Sequence, residues 1–157
     1  MSIARVRLVV AAAAFVGWLG WLGYLAASKT NPTVVSHSQV MAATRFVVAE
    51  VTIDTQSGLP QRQVNVLEDL RPVGAPLEGT IVVENIRNGR IAGAKEFRER
   101  TKYLLPLTPS SSGAYSLTMQ PRSPGQEVIK EDKLQPWAYL WDDPEVQRQF
   151  EALVSKR

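Results

Sequence analysis

The sequence predicts a mainly β protein with one N-terminal transmembrane helix, a small five-stranded OB-like Greek-key barrel and a C-terminal α-helix. Three observations support this fold class. An uncharged apolar run lies near the N-terminus, short segments with alternating apolar residues follow one another between Pro- and Gly-containing turns, and helical spacing returns after residue 143. The 157 residues are enough for one domain of ordinary size.

Composition excludes several kinds of site. The chain has no Cys and one His, which rules out a disulfide scaffold, a thiolate metal site, a cysteine nucleophile and any centre with several histidines. Hydrophobic residues make up 45% and charged residues 21%, as in ordinary folded proteins, so the chain as a whole is not predicted to be disordered.

The apolar run covers residues 8–27, from Leu8 to Ala27, and contains no charged side chain. As a helix it is about 30 Å long, the thickness of a bilayer core. Arg5 and Arg7 precede it, which favours a cytoplasmic N-terminus and places the rest of the chain on the other side of the membrane. A cleaved signal peptide is the main alternative, although its best cleavage site begins with Leu25 rather than a small residue. A buried helix of a soluble domain is the third interpretation.

The expected organisation has four parts. Residues 1–27 form the anchor, 28–38 a polar spacer, 39–133 the β-barrel domain, and 134–157 an aromatic segment with the C-terminal helix. Removing residues 1–27 removes two arginines and no acid, which leaves 16 basic and 15 acidic residues. So balanced a domain carries no electrostatic footprint for nucleic acid, and no nucleic-acid partner is expected.

The strands are predicted from alternation and turn residues. Pro106 should confine the fourth strand to a sheet edge or a bulge. Val48 or Val51, Val66, Val83, Leu105 and Leu117 are expected to share one core. The five predicted strands are 40–53, 63–70, 79–86, 102–108 and 114–119, with a further short strand at 127–130.

A long polar connection, residues 87–101, separates the third strand from the fourth. It carries the densest basic group of the chain, with Glu96 and Glu99 mixed in. A solvated face or loop is the first interpretation of this group, and an anion-binding patch is the alternative. Its basic members, counted into the following strand, are Arg87, Arg90, Lys95, Arg98, Arg100 and Lys102.

The C-terminal helix should begin at Asp143-Pro144-Glu145, because Asp caps, Pro suits the first turn and an acid favours the N-terminal dipole. Val146, Phe150, Leu153 and Val154 then recur at helical spacing, to about Ser155.

One stretch resembles a known family. Phe97-x5-Tyr103-Leu104-Leu105-Pro106-Leu107, followed by a turn and Tyr115-Ser116-Leu117, resembles the end of the barrel in netrin-like and metalloproteinase-inhibitor domains. The likeness covers roughly residues 40–120 and implies the barrel fold. It implies no inhibitory activity, because the cysteines of those families are absent. The chain also resembles bacterial membrane-anchored proteins with one short β domain outside the membrane, a family that implies no particular function.

The most distinctive soluble segment is QPWAYLW, in which Trp137, Tyr139 and Trp141 alternate and should share one face of an extended chain. Packing over the open end of the barrel is one interpretation. The other is an exposed aromatic platform that binds a protein, glycan or lipid surface, and these three are the predicted binding residues.

No reactive constellation is visible in the sequence. Asp142 and Asp143 fit a helix cap, Glu68 and Asp69 should point to opposite faces of a strand, and Ser110–Ser112 lack a nucleophile elbow. His37 lacks the Tyr four residues later that accompanies the haem-attaching His of the cytochrome c maturation chaperone, where this chain has Met41.

These observations predict a non-enzymatic, membrane-tethered, extracytoplasmic interaction or scaffold domain with no cofactor, no metal and no catalytic residue. Its expected partners are the lipid bilayer, through residues 8–27, and a protein in or at the membrane. The alternative is an enzyme or cofactor-carrier subunit whose site assembles only in three dimensions. That site would bring His37 together with Glu68, Glu84, Asp132 or Asp142.

Overall fold

The computed structural model of the protein describes residues 3–28, 33–121 and 135–155. Its contacts divide the chain into two units, Met1–Pro32 and Thr33–Arg157. The predicted strand at 127–130, residues 29–32 of the predicted spacer, and Asp132 lie outside the described residues. The first unit contains one helix, and the second contains a β-sheet with two helices.

Helix α1 spans Ile3–Ser28. Within it, Arg5–Ala26 has a mean hydropathy of 1.9, and none of this stretch is buried inside the described structure. The helix is therefore long and apolar enough to cross a membrane, as predicted, although a signal sequence passes the same test of length and composition.

The second unit is built on one seven-stranded sheet. The strand order is β3-β2-β1-β5-β7-β4, and β6 pairs with β5 beside this path. All pairs are antiparallel except β4 with β7. The strands are β1 (Arg45–Ile53), β2 (Pro60–Asp69), β3 (Gly79–Val82), β4 (Arg90–Ala92), β5 (Lys102–Pro109), β6 (Tyr115–Leu117) and β7 (Trp137–Leu140).

The prediction of a barrel was wrong, because the sheet is not closed within the described residues. After β3, only an isolated parallel bridge joins Val83 to Tyr115. The Asn85 side chain then takes the place of a further strand residue, since its amide bonds both the N–H and the carbonyl of Leu117, at 2.7 and 3.0 Å. A 3-10 turn at Ile86–Asn88 follows and takes the chain out of the sheet. The third strand thus ends at Val82 and not at Ile86.

Two strands lie outside the predicted five. Strand β4 comes from the connection predicted as a loop, and β7 comes from the aromatic segment. They pair in parallel through Arg90 with Trp137 and Ala92 with Tyr139. Tyr139 also pairs with Leu104 of β5, so the aromatic segment is a full member of the sheet.

The prediction that Pro106 confines its strand to an edge or a bulge was also wrong, because β5 lies between β1 and β7. On the side away from β1, the neighbour of β5 changes from β7, at Leu104, to β6, at Leu107. Pro106 lies at this change of partner, and its carbonyl accepts the Thr118 N–H at 2.8 Å. A backbone N–H at position 106 would point to the same side as this carbonyl, away from β1. The missing N–H of proline therefore costs no hydrogen bond to β1.

Helix α2 (His37–Ala42) replaces the end of the predicted spacer and the start of the predicted first strand. Ser36 caps it by accepting the Gln39 N–H. The Gln39 side chain is fully buried, and its amide donates to the carbonyls of Thr118 and Trp137, at 2.7 and 2.9 Å. These contacts with residues far along the chain stabilise α2, although its sequence lacks the apolar spacing of a helix.

Helix α3 (Pro144–Val154) confirms the predicted C-terminal helix, and the Asp143 carboxylate accepts the Glu145 N–H at 2.9 Å. The Gln149 side chain fastens the start of the domain to this helix. It accepts the Val35 N–H at 2.9 Å and donates to the Thr33 carbonyl at 3.1 Å.

The sheet separates two apolar clusters, which we call the first core and the second core. The first core confirms the predicted shared core, since it contains Val51, Val66, Val83, Leu105 and Leu117. The second lies under the two helices and includes Phe46, Leu104, Tyr139, Val146 and Phe150. The rings of Phe46 and Phe150 meet edge to face at 5.1 Å.

Candidate functional site

A cleft lies beside the loop that joins β4 to β5, and we call it the Phe97 cleft. Its volume is about 920 Å³, within the range of small-molecule sites. The loop contributes one side, and β4, β5 and β7 contribute the rest. The residues that define it are Ile91, Gly93, Ala94, Lys95, Glu96, Phe97, Arg98, Thr101, Tyr103, Trp137 and Leu140.

Aromatic and aliphatic side chains form much of the lining. Phe97 and Tyr103 meet edge to face, with ring centroids 5.0 Å apart. Tyr103 and Ile91 are buried members of the first core, and Phe97 and Leu140 pack against that core from its edge. The apolar lining is therefore continuous with the packed interior, which gives it a fixed shape.

The hydroxyl of Tyr103 is already engaged by the loop. It accepts the Arg98 N–H at 2.7 Å and donates to the Arg98 carbonyl at 3.4 Å. These bonds hold the loop over β5 and fix the position from which the Arg98 side chain extends. The phenol is fully buried, so its ring supports the cleft as part of the core, and its polar atom bonds the loop.

Three exposed charged side chains line the cleft, namely Lys95, Arg98 and Glu96. Among the residues that the structure describes, neither Lys95 nor Arg98 has a side-chain hydrogen bond or an ion pair. Other basic side chains are engaged: Arg45 pairs with the buried Asp69 at 2.8 Å, and Arg148 pairs with Glu145 at 2.7 Å. Two cations and one acid leave the lining with one net positive charge.

Two backbone features fix the shape of the loop. Gly93 has φ +84°, and a Cβ there would lie 2.5 Å from the Thr33 hydroxyl oxygen, so glycine is required. Arg100 has φ 55°, in the left-handed region that side chains seldom adopt. A second cleft of about 380 Å³ also involves Ile91, Lys95, Glu96 and Phe97 in its lining.

The three residues of the predicted aromatic face all pack on the second core, and one of them also lines the cleft. Tyr139 is 1% exposed and belongs to the second core, and Trp137 and Trp141 are half-buried against the same core. Trp141 also meets Phe150 edge to face at 5.9 Å. Of the three, only Trp137 lines the Phe97 cleft. Binding by these three residues stays a prediction.

The acidic residues and the histidine considered for an assembled site are spread over the domain. His37 is exposed at the start of α2, Glu68 is exposed on β2, and Asp142 is exposed in the turn before α3. Glu84 accepts from the Ser110 and Ser112 hydroxyls at 2.8 and 2.6 Å. These bonds, that of Ser112 first, hold the pKa of Glu84 below its usual range. In the described parts of the chain, no three His, Asp or Glu residues are grouped so that they could hold a metal ion.

The sequence singled out the basic group but not the apolar cleft beside it. Lys95 and Arg98 belong to the group for which an anion-binding patch was the alternative interpretation. Phe97 and Tyr103 appeared only as parts of a strand motif. The signal that joins them is the Tyr103 hydroxyl, which bonds a residue five positions earlier, and no sequence pattern encodes that bond.

No protein-family model matches this chain, and neither a curated protein nor a solved structure matches it.

Proposed function

We propose that this protein is a membrane-tethered, extracytoplasmic binding domain, non-enzymatic, with the Phe97 cleft as its binding surface. One observation carries the proposal: a cleft of about 920 Å³ combines an aromatic and aliphatic lining with two exposed, unengaged cations among its described residues. Apolar lining with a few polar groups at fixed positions is the usual make-up of a ligand site.

The tether supports a location at the membrane surface. Arg5 and Arg7 precede the apolar stretch of α1 and favour a cytoplasmic N-terminus, with the sheet domain on the opposite side. Four residues, 29–32, separate α1 from the domain in the sequence, so a domain tethered by α1 stays attached to the membrane.

The neighbour order of five strands supports a distant relation to OB-type folds, including the netrin-like and metalloproteinase-inhibitor domains. Strands β3, β2, β1, β5 and β6 adjoin in that order, and an isolated parallel bridge joins Val83, the residue after β3, to Tyr115 of β6. OB folds are themselves partly open Greek-key barrels. The relation, as proposed, concerns architecture and carries over no activity.

Site-directed photo-crosslinking of the full chain in membranes tests the proposed surface. A photoreactive phenylalanine analogue at Thr101, which lines the cleft, should give a discrete crosslinked species. The same analogue at Val73, which is 65% exposed on another loop, should not. Arg98→Gln should reduce the Thr101 product without lowering the melting temperature. Equal products from both positions, or a product insensitive to Arg98→Gln, would exclude the cleft as the binding surface.

A further inference from the structure

We propose that the Phe97 cleft binds an anionic amphipath, a molecule that joins a phosphate or carboxylate headgroup to an apolar chain or ring. This inference rests on the proposed function and names the ligand class of the same cleft. The lining divides into an apolar part and a cationic part, and each part selects one end of such a ligand.

The apolar part selects the body of the ligand. Phe97, Trp137 and Leu140 are half-buried and offer carbon surface, whereas Ile91 and Tyr103 are buried. The Tyr103 hydroxyl is engaged by the Arg98 backbone. A sugar or another highly hydroxylated body would lose hydrogen bonds to water here without regaining them. An alkyl or aromatic body gains from leaving water and from contact with ring faces.

The cationic part selects the head. Lys95 and Arg98 are exposed and, within the described residues, unengaged, so an anion can meet them without first breaking an ion pair. Arg binds planar carboxylate and phosphate oxygens through its fork of donors, and Lys adds a point charge. Glu96 reduces the positive charge of the lining. The two cations outnumber this one acid, so the lining still favours an anionic head over a cationic one.

The loop is held in place before a ligand binds. Tyr103 fixes the backbone at Arg98, and Gly93, at φ +84°, holds a backbone conformation that other residues rarely adopt at the start of the loop. A preformed site loses less conformational entropy on binding. The cleft between β3 and the turn before β6, about 520 Å³, provides a contrast. Its charged residue is Glu84, so it should reject the same ligand.

Calorimetry on the full chain in nanodiscs of zwitterionic lipid tests the proposal. Octyl phosphate is the probe, octyl glucoside is the neutral probe of equal chain length, and heats from empty nanodiscs are subtracted. Octyl phosphate should bind saturably and octyl glucoside should not. Lys95→Gln with Arg98→Gln should weaken octyl phosphate at least about tenfold, the loss expected when charge-assisted hydrogen bonds are removed.

The matched control is Arg62→Gln with Arg71→Gln, which removes the same charge outside the cleft and should leave the affinity unchanged. Equal affinity of the two double variants, equal binding of both probes, or no saturable binding of octyl phosphate would overturn the assignment. If octyl phosphate fails while the Thr101 crosslink persists, the proposed function stands and the ligand class is wrong. Loss of both results would overturn both proposals.

A second arm distinguishes the source of the ligand. Nanodiscs that also contain phosphatidylglycerol present the anionic head in the bilayer. If octyl phosphate binds more weakly in these discs, and the Lys95→Gln/Arg98→Gln variant shows no such decrease, a membrane lipid competes for the cleft. Unchanged affinity indicates a soluble amphipath as the ligand.

Discussion

The hydroxyl of Tyr139 donates a hydrogen bond to Oε1 of Gln39 across 2.7 Å, and both side chains are buried. The same hydroxyl accepts the Ser36 N–H at 3.0 Å, while the Gln39 amide donates to two carbonyls. One buried pair thus joins α2, β7 and the segment after β6. Every polar atom in this network that the structure describes has a partner, as a buried network requires.

Gln39→Met is expected to lower the free energy of unfolding by about 3 kcal/mol, because at nearly constant volume it removes the donor to two carbonyls and the acceptor of the Tyr139 hydroxyl proton. Chemical denaturation of the full chain in detergent measures the change. Gln56→Met, the same substitution in an exposed turn, should have little effect. Equal stability of the two variants would show that the Gln39 network contributes nothing.

Stability should fall at alkaline pH through Tyr139. Burial raises the pKa of its phenol to about 12, against a smaller lowering by the Ser36 N–H. The unfolded phenol titrates near pH 10, so this contribution is complete below about pH 10 and is lost as the pH rises toward 12. Tyr139→Phe should remove about 2–3 kcal/mol of the stability difference between pH 9 and 12. Parallel pH profiles of wild type and variant would contradict this expectation.

Leu105→Ala should lower the free energy of unfolding by about 2–5 kcal/mol, because Leu105 is fully buried in the first core. Val83→Ala should also destabilise, by a smaller amount. Val82→Ala is the control for Val83→Ala, since Val82 is its neighbour and is 41% exposed. If thermal melts show that Val82→Ala lowers the melting temperature as much as Val83→Ala does, the strand faces are assigned incorrectly.

Trp137→Ala and Trp141→Ala separate packing from binding. Both side chains are half-buried on the second core, so we expect each to cost about 3 kcal/mol, near the lower end for Trp. Of the two, only Trp137 lines the Phe97 cleft. Trp137→Phe should therefore keep most of the stability and weaken the binding of octyl phosphate. Unchanged melting of both alanine variants together with lost crosslinking would instead make these residues a binding platform.

The proposed topology places the C-terminus outside the cytoplasm, because Arg5 and Arg7 precede the apolar stretch. A reporter that is active only in the cytoplasm should be silent when it is fused after Arg157. Substituting both arginines by Glu should weaken this orientation and raise the signal. A strong signal from the unaltered fusion would reverse the topology.

Local signals predicted the elements that local forces determine. Asp143-Pro144 begins α3 as predicted, because cap and proline act within one turn. Alternation likewise located most of β1, β2 and β5. It did not find α2 or β4, which depend on partners far along the chain, such as the Trp137 carbonyl for Gln39 and β7 for Arg90.

The open sheet and the cleft share this non-local origin. A strand pattern at 79–86 cannot reveal that the Asn85 side chain will bond Leu117 and end the ladder. The basic group at 87–102 was visible in the sequence. Its position beside Phe97 depends on the Tyr103 hydroxyl, which a residue pattern records only as one more aromatic in a strand.

Gln149 has a mechanical consequence. The chain enters the domain at Thr33–Val35, and the amide of Gln149 bonds the backbone there from the C-terminal helix. A pull on the chain where it enters the domain would therefore load the Gln149 bonds to α3 first and the bond from the Ser36 N–H to Tyr139 of β7 next. The C-terminal helix thus carries part of any tension applied at the start of the domain.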